Sequence, residues 1–381
     1  MKKKIIIGVL IIGLVFTLTG CGKKNTNTST STNTSSESSN GLISYTDIFT
    51  DRDLDEIVDT SNATTYEVKD SEDINITNEG IYVITGSAKN VTITVNVDDE
   101  SKVELVLNNL TIENESSPCI YVKNADKVFV TTIGENNLTV TNSFTSDGET
   151  NTDAVIFSKD DLTVKGTGTL NITSTSNGIT SKDDLKITGG DINITSTDDA
   201  LEANNSIAIS NGNITINSKK DGLHAEYSED NTVGYIYIKG GTINITASDD
   251  AIHATTIVCI DGGTITTNSR EGIEGTYIQI NDGTLNITAS DDAINAGAKS
   301  NSYTPTIEIN GGYTTIKMGS GDTDAVDSNG NIYINGGTID ITAQSPFDYD
   351  GEAKYNGGTI IVNGQETNEI TNQMMGGGMR R

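Results

Sequence analysis

An acidic turn recurs along the middle of this chain, each copy ending in a small residue and an aliphatic one. Asp198-Asp199-Ala200-Leu201, Lys220-Asp221-Gly222-Leu223, Asp249-Asp250-Ala251-Ile252, Arg270-Glu271-Gly272-Ile273 and Asp291-Asp292-Ala293-Ile294 are the clearest copies. Looser ones begin at Thr152, Ser176 and Thr323, and Phe347-Asp348 closes the series. The second position therefore reads Asp153, Asn177, Asp199, Asp221, Asp250, Glu271, Asp292, Asp324 and Asp348, with no basic residue among them. Carboxylates repeated in this way suit hard cations. Ca²⁺ in particular takes about six to eight oxygen ligands in irregular geometry.

Three residues further on, the same copies carry Glu202, His224, His253, Glu274, Asn295 and Asp327. The only two histidines of the chain thus fall on neighbouring copies. Beside the acidic position they are candidates for contact with a ligand or a transition metal; two exposed side chains are the plainer alternative. The first position alternates in sign, Asp198, Lys220, Asp249, Arg270, Asp291, as a ladder of inter-coil ion pairs would. Lys220 and Arg270 are also the only candidates beside the acidic position for the base of a polysaccharide lyase, which needs a deprotonated amine or guanidine next to a cation.

These positions can meet only if the copies stack. The spacing is 21 to 24 residues in most steps, and the longer steps hold polar insertions at 227–234 and 297–305. Each copy carries two runs of period-2 alternation, such as Tyr235-Ile236-Tyr237-Ile238 and Thr242-Ile243-Asn244-Ile245, with Gly-Gly corners at 189–190, 240–241, 262–263 and 336–337. Two alternating strands, a short third one and a period near 22 describe a parallel β-helix, an all-β solenoid. Equivalent residues then lie about 4.8 Å apart as columns. Neighbouring carboxylates at that spacing repel by roughly 3 kcal/mol at an effective dielectric near 20. Either protonation, a cation between coils or splaying into solvent must relieve them. The metal candidates are Asp199, Glu202, Asp221, Asp250, Glu271, Glu274, Asp292 and Asp324. Terminal units of a solenoid must differ from the rest, and residues 45–60, with Phe49, Leu54, Ile57 and Val58, are expected to cover the open end as a short helix or turn.

Composition narrows the function. The 381 residues carry 53 Asp+Glu against 24 Lys+Arg, a formal charge of −29. This excludes nucleic acid, which needs a basic face, and disfavours adsorption to anionic lipid. Trp is absent, so sugar stacking would fall to tyrosines such as Tyr235, Tyr237, Tyr277 and Tyr333, unless these are scattered surface residues.

The first residues look like an export signal. Lys2, Lys3 and Lys4 precede an apolar run over 5–16, and Leu18-Thr19-Gly20-Cys21 resembles a bacterial lipobox. The expected division is a signal peptide over 1–20, a lipidated Cys21 heading a polar tether over 21–45, the β-helix over 46–365 and a disordered Gln/Met/Gly/Arg tail over 366–381. Removing three lysines takes the exported chain from −29 to −29 − 3 = −32. Cys119 and Cys259 fall about six coils apart, roughly 29 Å at about 4.8 Å per coil, too far for a disulfide.

Several strings resemble a known family. They are Phe-Thr-Asp-Arg-Asp-Leu-Asp (49–55), Gly-Ile-Tyr-Val-Ile-Thr-Gly (80–86), Lys-Val-Glu-Leu-Val-Leu-Asn-Asn-Leu-Thr-Ile (102–112), Ile-Tyr-Val-Lys-Asn-Ala-Asp-Lys-Val (120–128), Ala-Val-Ile-Phe-Ser-Lys-Asp-Asp-Leu-Thr-Val (154–164) and Ser-Lys-Asp-Asp-Leu-Lys-Ile-Thr-Gly-Gly (181–190). Together they resemble the calcium-binding, carbohydrate-binding β-helix proteins of bacterial surfaces, of clostridial type. The resemblance implies a right-handed, pectate-lyase-like helix with Ca²⁺ between coils, and binding of plant cell-wall polysaccharide, acidic pectin or cellulose. It departs from the family where turns read Asp-Ala-Ile rather than Asp-Gly-Ile and where Asn177 interrupts the acids. The expected protein is a monomeric, non-enzymatic surface lipoprotein attached to the membrane through lipid alone. A calcium-dependent lyase and a structural adhesin are the alternatives.

Overall fold

The computed structural model describes residues 45, 47–148, 150–319 and 323–372. The signal segment, Cys21, all but the last residue of the tether, and residues 373–381 of the tail lie outside the described residues. Within them the chain is a stack of coils, each built from three strands. One coil runs Asn177–Ser181, Asp184–Ile187 and Asp191–Thr195; the next runs Leu201–Ala203, Ser206–Ile209 and Asn213–Ser218. Apart from the last strand, each pairs in parallel with its counterpart in the neighbouring coils, giving three ladders along the stack. The fold is the parallel solenoid that the periodicity predicts.

Alternation puts the aliphatic residues inside, and the register stacks like on like. Ile192 pairs with Ile214, Ile214 with Ile243 and Ile243 with Ile265, and all four are buried. One apolar core thus runs the length of the stack. The Gly-Gly corners are sites of close approach between coils. At Gly337 φ is +72° and an added Cβ would stand 2.5 Å from the Gly311 carbonyl oxygen, so the corner admits no side chain. In the early coils one strand, Lys102–Asn114, runs through this corner, bending at Asn109 with φ +52°.

Both ends differ from expectation. The short helix exists at Asp51–Leu54, opened by a capping box between Thr50 and Asp53. It lies along the outer face of the second ladder, not over the open end. Tyr45 stacks on Tyr237 at 4.3 Å, Lys186 donates to the Ile48 carbonyl at 2.5 Å, and Arg52 sits 4.2 Å from the Phe129 ring centre. The segment is a strap across several coils, and Leu54 and Ile57 point to solvent instead of into a core. Outward-facing cations explain why: Lys127, Lys165 and Lys186 come from three successive coils and need counter-charges. At the other end, Gln365–Thr367 turns back antiparallel on Thr359–Val362, and Asn372 donates to the Tyr349 carbonyl at 2.7 Å. Residues 366–372 therefore pack on the last coil, so the ordered part extends beyond 365.

Asp53 anchors the strap. It is fully buried, with Lys127 Nζ at 2.6 Å and Lys186 Nζ at 3.5 Å, and it accepts from Thr163 Oγ1 at 2.8 Å. Burial alone would raise its pKa; Lys127, the Thr50 amide and Lys186 outweigh that and hold it below the carboxylate range. A depressed pKa contributes stability that is present above the unfolded value, about 3.9, and is lost as pH falls through the folded one. Asp53→Asn leaves two lysines facing an uncharged amide and should cost about 3–5 kcal/mol at neutral pH. Denaturant unfolding should show the gap from the unmodified protein narrowing below about pH 4. A gap that does not change with pH would mean that the ion pairs contribute nothing.

Candidate functional site

From Asn177 to Asp327 the columns form in the register that the repeat implies; at the ends it shifts, Asn177 facing Ala154 instead of Asp153, and Asp348 facing Asp327 of the third column instead of Asp324. Glu202 pairs with His224, His224 with His253, His253 with Glu274, Glu274 with Asn295 and Asn295 with Asp327. Asn177, Asp199, Asp221, Asp250 and Glu271 are buried, so they do not splay into solvent. Their place is fixed by the backbone. The Asp199 amide donates to Asn177 Oδ1 at 3.0 Å, the Asp221 amide to Asp199 Oδ1 at 2.9 Å and the Asp250 amide to Asp221 Oδ1 at 2.9 Å. Further along, the Asp324 amide donates to Asp292 Oδ1 at 3.1 Å. In these four cases one side-chain oxygen thus satisfies the amide of its own counterpart on the next coil, and in Asp199, Asp221 and Asp292 this leaves the second carboxylate oxygen for chemistry.

In the first half of the column, cations of the chain itself take those second oxygens. His224 Nδ1 lies 2.9 Å from Asp199 Oδ2 and 3.4 Å from Asp221 Oδ2. His253 Nδ1 lies 3.0 Å from Asp250 Oδ2 and 2.9 Å from Glu274 Oε2. Arg270 reaches Asp249, Asp250, Glu271 and Asp291 together. Lys299 pairs with Glu274 at 2.8 Å. Glu202 accepts from Asn177 at 2.7 Å and Thr180 at 2.8 Å, with Lys182 at 3.1 Å. Burial opposes the charge of Asp199, but His224 more than offsets it and lowers the pKa. Asp221 and Asp250 stay raised, to about 6, chiefly by burial.

The second half differs. Among the described residues no Lys, Arg or His comes within ion-pair distance of Asp292, Asp327 or Asp348. Asp327 pairs in register with Asp348. Burial first, then neighbouring carboxylates, raise Asp292 to about 7 and Asp327 to about 6. Of the expected metal ligands, then, the six from Asp199 to Glu274 already have protein partners. Asp292, with Asp327 and Asp348 on the following coils and Asp324 beside them, forms the stretch where carboxylate meets carboxylate. An all-oxygen, partly buried donor set with excess negative charge fits Ca²⁺.

The remaining candidates fall elsewhere. Lys220 pairs with Asp198 at 3.1 Å, as the charge ladder predicts, and Arg270 completes it. The Tyr237 face is covered by Tyr45, and its hydroxyl donates to Asp261 at 2.8 Å. Tyr235 meets the same Tyr45 edge-on, so neither ring offers an open platform. Cys119 and Cys259 are buried and unpaired with each other. A second acidic cluster, Asp161, Asp183 and Asp184, escaped the turn alignment because it lies on the next ladder. The repeated Ser-Lys-Asp-Asp-Leu at 158–162 and 181–185 is its signal. Glu226 was also missed; it stands at the root of the insertion after His224.

Comparison with known proteins gives one family. The model for carbohydrate-binding domain-containing proteins matches residues 70–325 and 277–376. A carbohydrate-binding domain-containing protein of Acetivibrio thermocellus is 32% identical over 195 residues, 50% of this chain. The chain spans 64% of that relative's own length. A solved structure, the gadolinium derivative of a polysaccharide lyase-like protein from C. thermocellum, superposes with a TM-score of 0.53 at 32% identity. It covers 58% of this chain and 95% of its own.

If Asp292 is penalised by burial and neighbouring charge, removing the charge without the acceptor should help. In chelator at neutral pH, Asp292→Asn should stabilise the protein by about 1–3 kcal/mol. Asp292→Ala, which also strips the Asp324 amide of its acceptor, should fall about 1 kcal/mol below the Asn variant. Denaturation midpoints of the three proteins measure this. Equal losses in both variants would show that the charge is well accommodated.

Proposed function

The chain belongs to the carbohydrate-binding domain-containing family, and from that premise we propose that it is a lipid-anchored surface protein that binds cell-wall polysaccharide through Ca²⁺ held at the acidic column. Acidic pectin is the ligand this chemistry favours. The observation that carries the reading is the stretch Asp292–Asp327–Asp348, where partly buried carboxylates of successive coils raise one another's pKa and, among the described residues, have no basic partner within ion-pair distance. Asp292 Oδ1 is held by the Asp324 amide, so its other oxygen has a fixed direction.

Bound Ca²⁺ would supply the positive charge that lets carboxylates on both sides share one site. Without it, a chain of net charge −29 repels a polyuronate. The lipobox and polar tether support placement at the cell surface, with the solenoid held away from the bilayer. Binding rather than cleavage is the reading that the bases favour. Lys220 is held protonated, its pKa raised chiefly by its hydrogen bond to Asp198. Burial works to lower the pKa of Arg270, but Asp249 and the carboxylates around it raise it overall. Neither group is available to abstract a proton.

Retention on immobilised polygalacturonate should require calcium and vanish in EDTA, while the fold persists by circular dichroism. The double variant Asp292→Asn/Asp327→Asn should lose at least about tenfold in affinity, about 1.4 kcal/mol. No unsaturated uronate product should appear by ultraviolet absorbance. Retention that survives EDTA unchanged would overturn the calcium-bridged reading, and retention on cellulose alone would move the ligand to a neutral glycan.

A further inference from the structure

The two histidines carry a feature that hard-cation binding does not use. Their Nδ1 atoms are turned to carboxylates: His224 to Asp199 at 2.9 Å, and His253 to Asp250 at 3.0 Å and Glu274 at 2.9 Å. In a neutral ring that arrangement would hold the proton on Nδ1, so Nε2 is the atom each ring would present to a metal once it is deprotonated. Both Nε2 atoms converge on the same oxygen, Glu226 Oε2, at 3.6 Å from His224 and 3.5 Å from His253. Both are enclosed and make no hydrogen bond, and His253 as a whole is only 8% exposed. Three potential ligand atoms therefore meet at one small volume with no hydrogen bond joining them.

Protons answer this poorly. A hydrogen bond from Nε2–H to a carboxylate needs about 2.7–3.2 Å, shorter than either distance. Two imidazolium rings with centres 4.9 Å apart would also repel. Two ligands on one tetrahedral zinc, at about 2.0–2.2 Å each, stand about 3.4 Å apart. The three residues offer ligand atoms all within 4.8 Å of one another.

We propose that His224, Glu226 and His253 form a binding site for a divalent transition-metal ion of the Zn²⁺ type, separate from the hard-cation stretch of the acidic column. The carboxylates behind both rings act as the outer partners that orient metal-ligating histidines and make them more basic. The backbone supports the geometry. His224 and His253 are paired strand residues, and the Glu226 amide donates to the Ala203 carbonyl at 3.0 Å, which fixes the root of the insertion. Three protein ligands leave one position of a tetrahedral ion open. A cavity of about 340 Å³, lined by His224 and Glu226 with Lys182, Glu202, Asn204 and Tyr227, adjoins the site. The carboxylates around both rings favour a dication that displaces any proton on Nε2.

The test uses the exported chain after treatment with chelator, titrated with Zn²⁺ by calorimetry and with Co²⁺ by visible absorption. One high-affinity Zn²⁺ per chain is expected, with proton release, together with the d–d bands of a tetrahedral Co²⁺ site. His253→Gln and Glu226→Gln should each weaken Zn²⁺ at least tenfold, whereas Asp292→Asn should leave it unchanged. Excess Ca²⁺ should not displace the Co²⁺ spectrum. Folding of each variant is checked by circular dichroism, and the conservative Glu226→Asp should recover part of the affinity. Absence of Co²⁺ bands, or bands that persist in a His224→Gln/His253→Gln double variant, would overturn the proposal whatever the polysaccharide result.

Discussion

A parallel solenoid makes every residue face its own counterpart, about 4.8 Å above and below, and that constraint governs this structure. Isoleucine on isoleucine is favourable, so the interior is a set of aliphatic columns. Asparagine on asparagine also works, because an amide both donates and accepts. Asn310 donates to Asn281 at 2.8 Å, Asn335 to Asn310 at 2.7 Å and Asn356 to Asn335 at 2.7 Å. Carboxylate on carboxylate does not close in this way. It can only accept, so each needs a donor from elsewhere.

The acidic column meets that need in two stages. Backbone amides of the next coil take one oxygen, which makes the column part of the fold rather than a surface decoration. The second oxygen is answered by whatever the neighbouring columns bring. Through Asp199 to Glu274 these are His224, His253, Arg270 and Lys299. From Asp292 onward the neighbours are themselves acidic, and burial then acts against the charged form. Excess charge is thus concentrated at one end of the corner, although the sequence spreads acids evenly through the repeat.

The parts of the structure legible in the sequence are those the period controls: the ladders, the register of the three columns between Asn177 and Asp327, the sign-alternating ladder and the placement of the two histidines on adjacent coils. What escaped has no period. The strap binds Lys127, Lys165 and Lys186, which lie 74 or more positions beyond the strap residues that meet them. Nothing local in 47–58 marks Asp53 as their partner. Phe49 and Leu54 read as core residues because apolar spacing does not say which side of a sheet it meets. Tyr237 looked open for the same reason: its cover, Tyr45, comes from far earlier in the chain. Glu226 was hidden in an insertion, where an acid reads as solvent-facing polarity. The aligned strand position that leads to it, His224, was visible.

Because each coil contacts only its neighbours, chemistry at one corner can change coil by coil without disturbing the fold. A lyase-like backbone therefore says little about cleavage. The residues at the corner carry that information. Arg270 illustrates the point, standing where a base would be sought yet bound by four carboxylates at once. Losing any one of them would still leave it protonated, since three counter-charges remain. A free base at this position would need several neighbouring coils to exchange their acids together. The column that would attract cations to this corner also keeps its own cations charged, and that is what supports the proposed binding over cleavage.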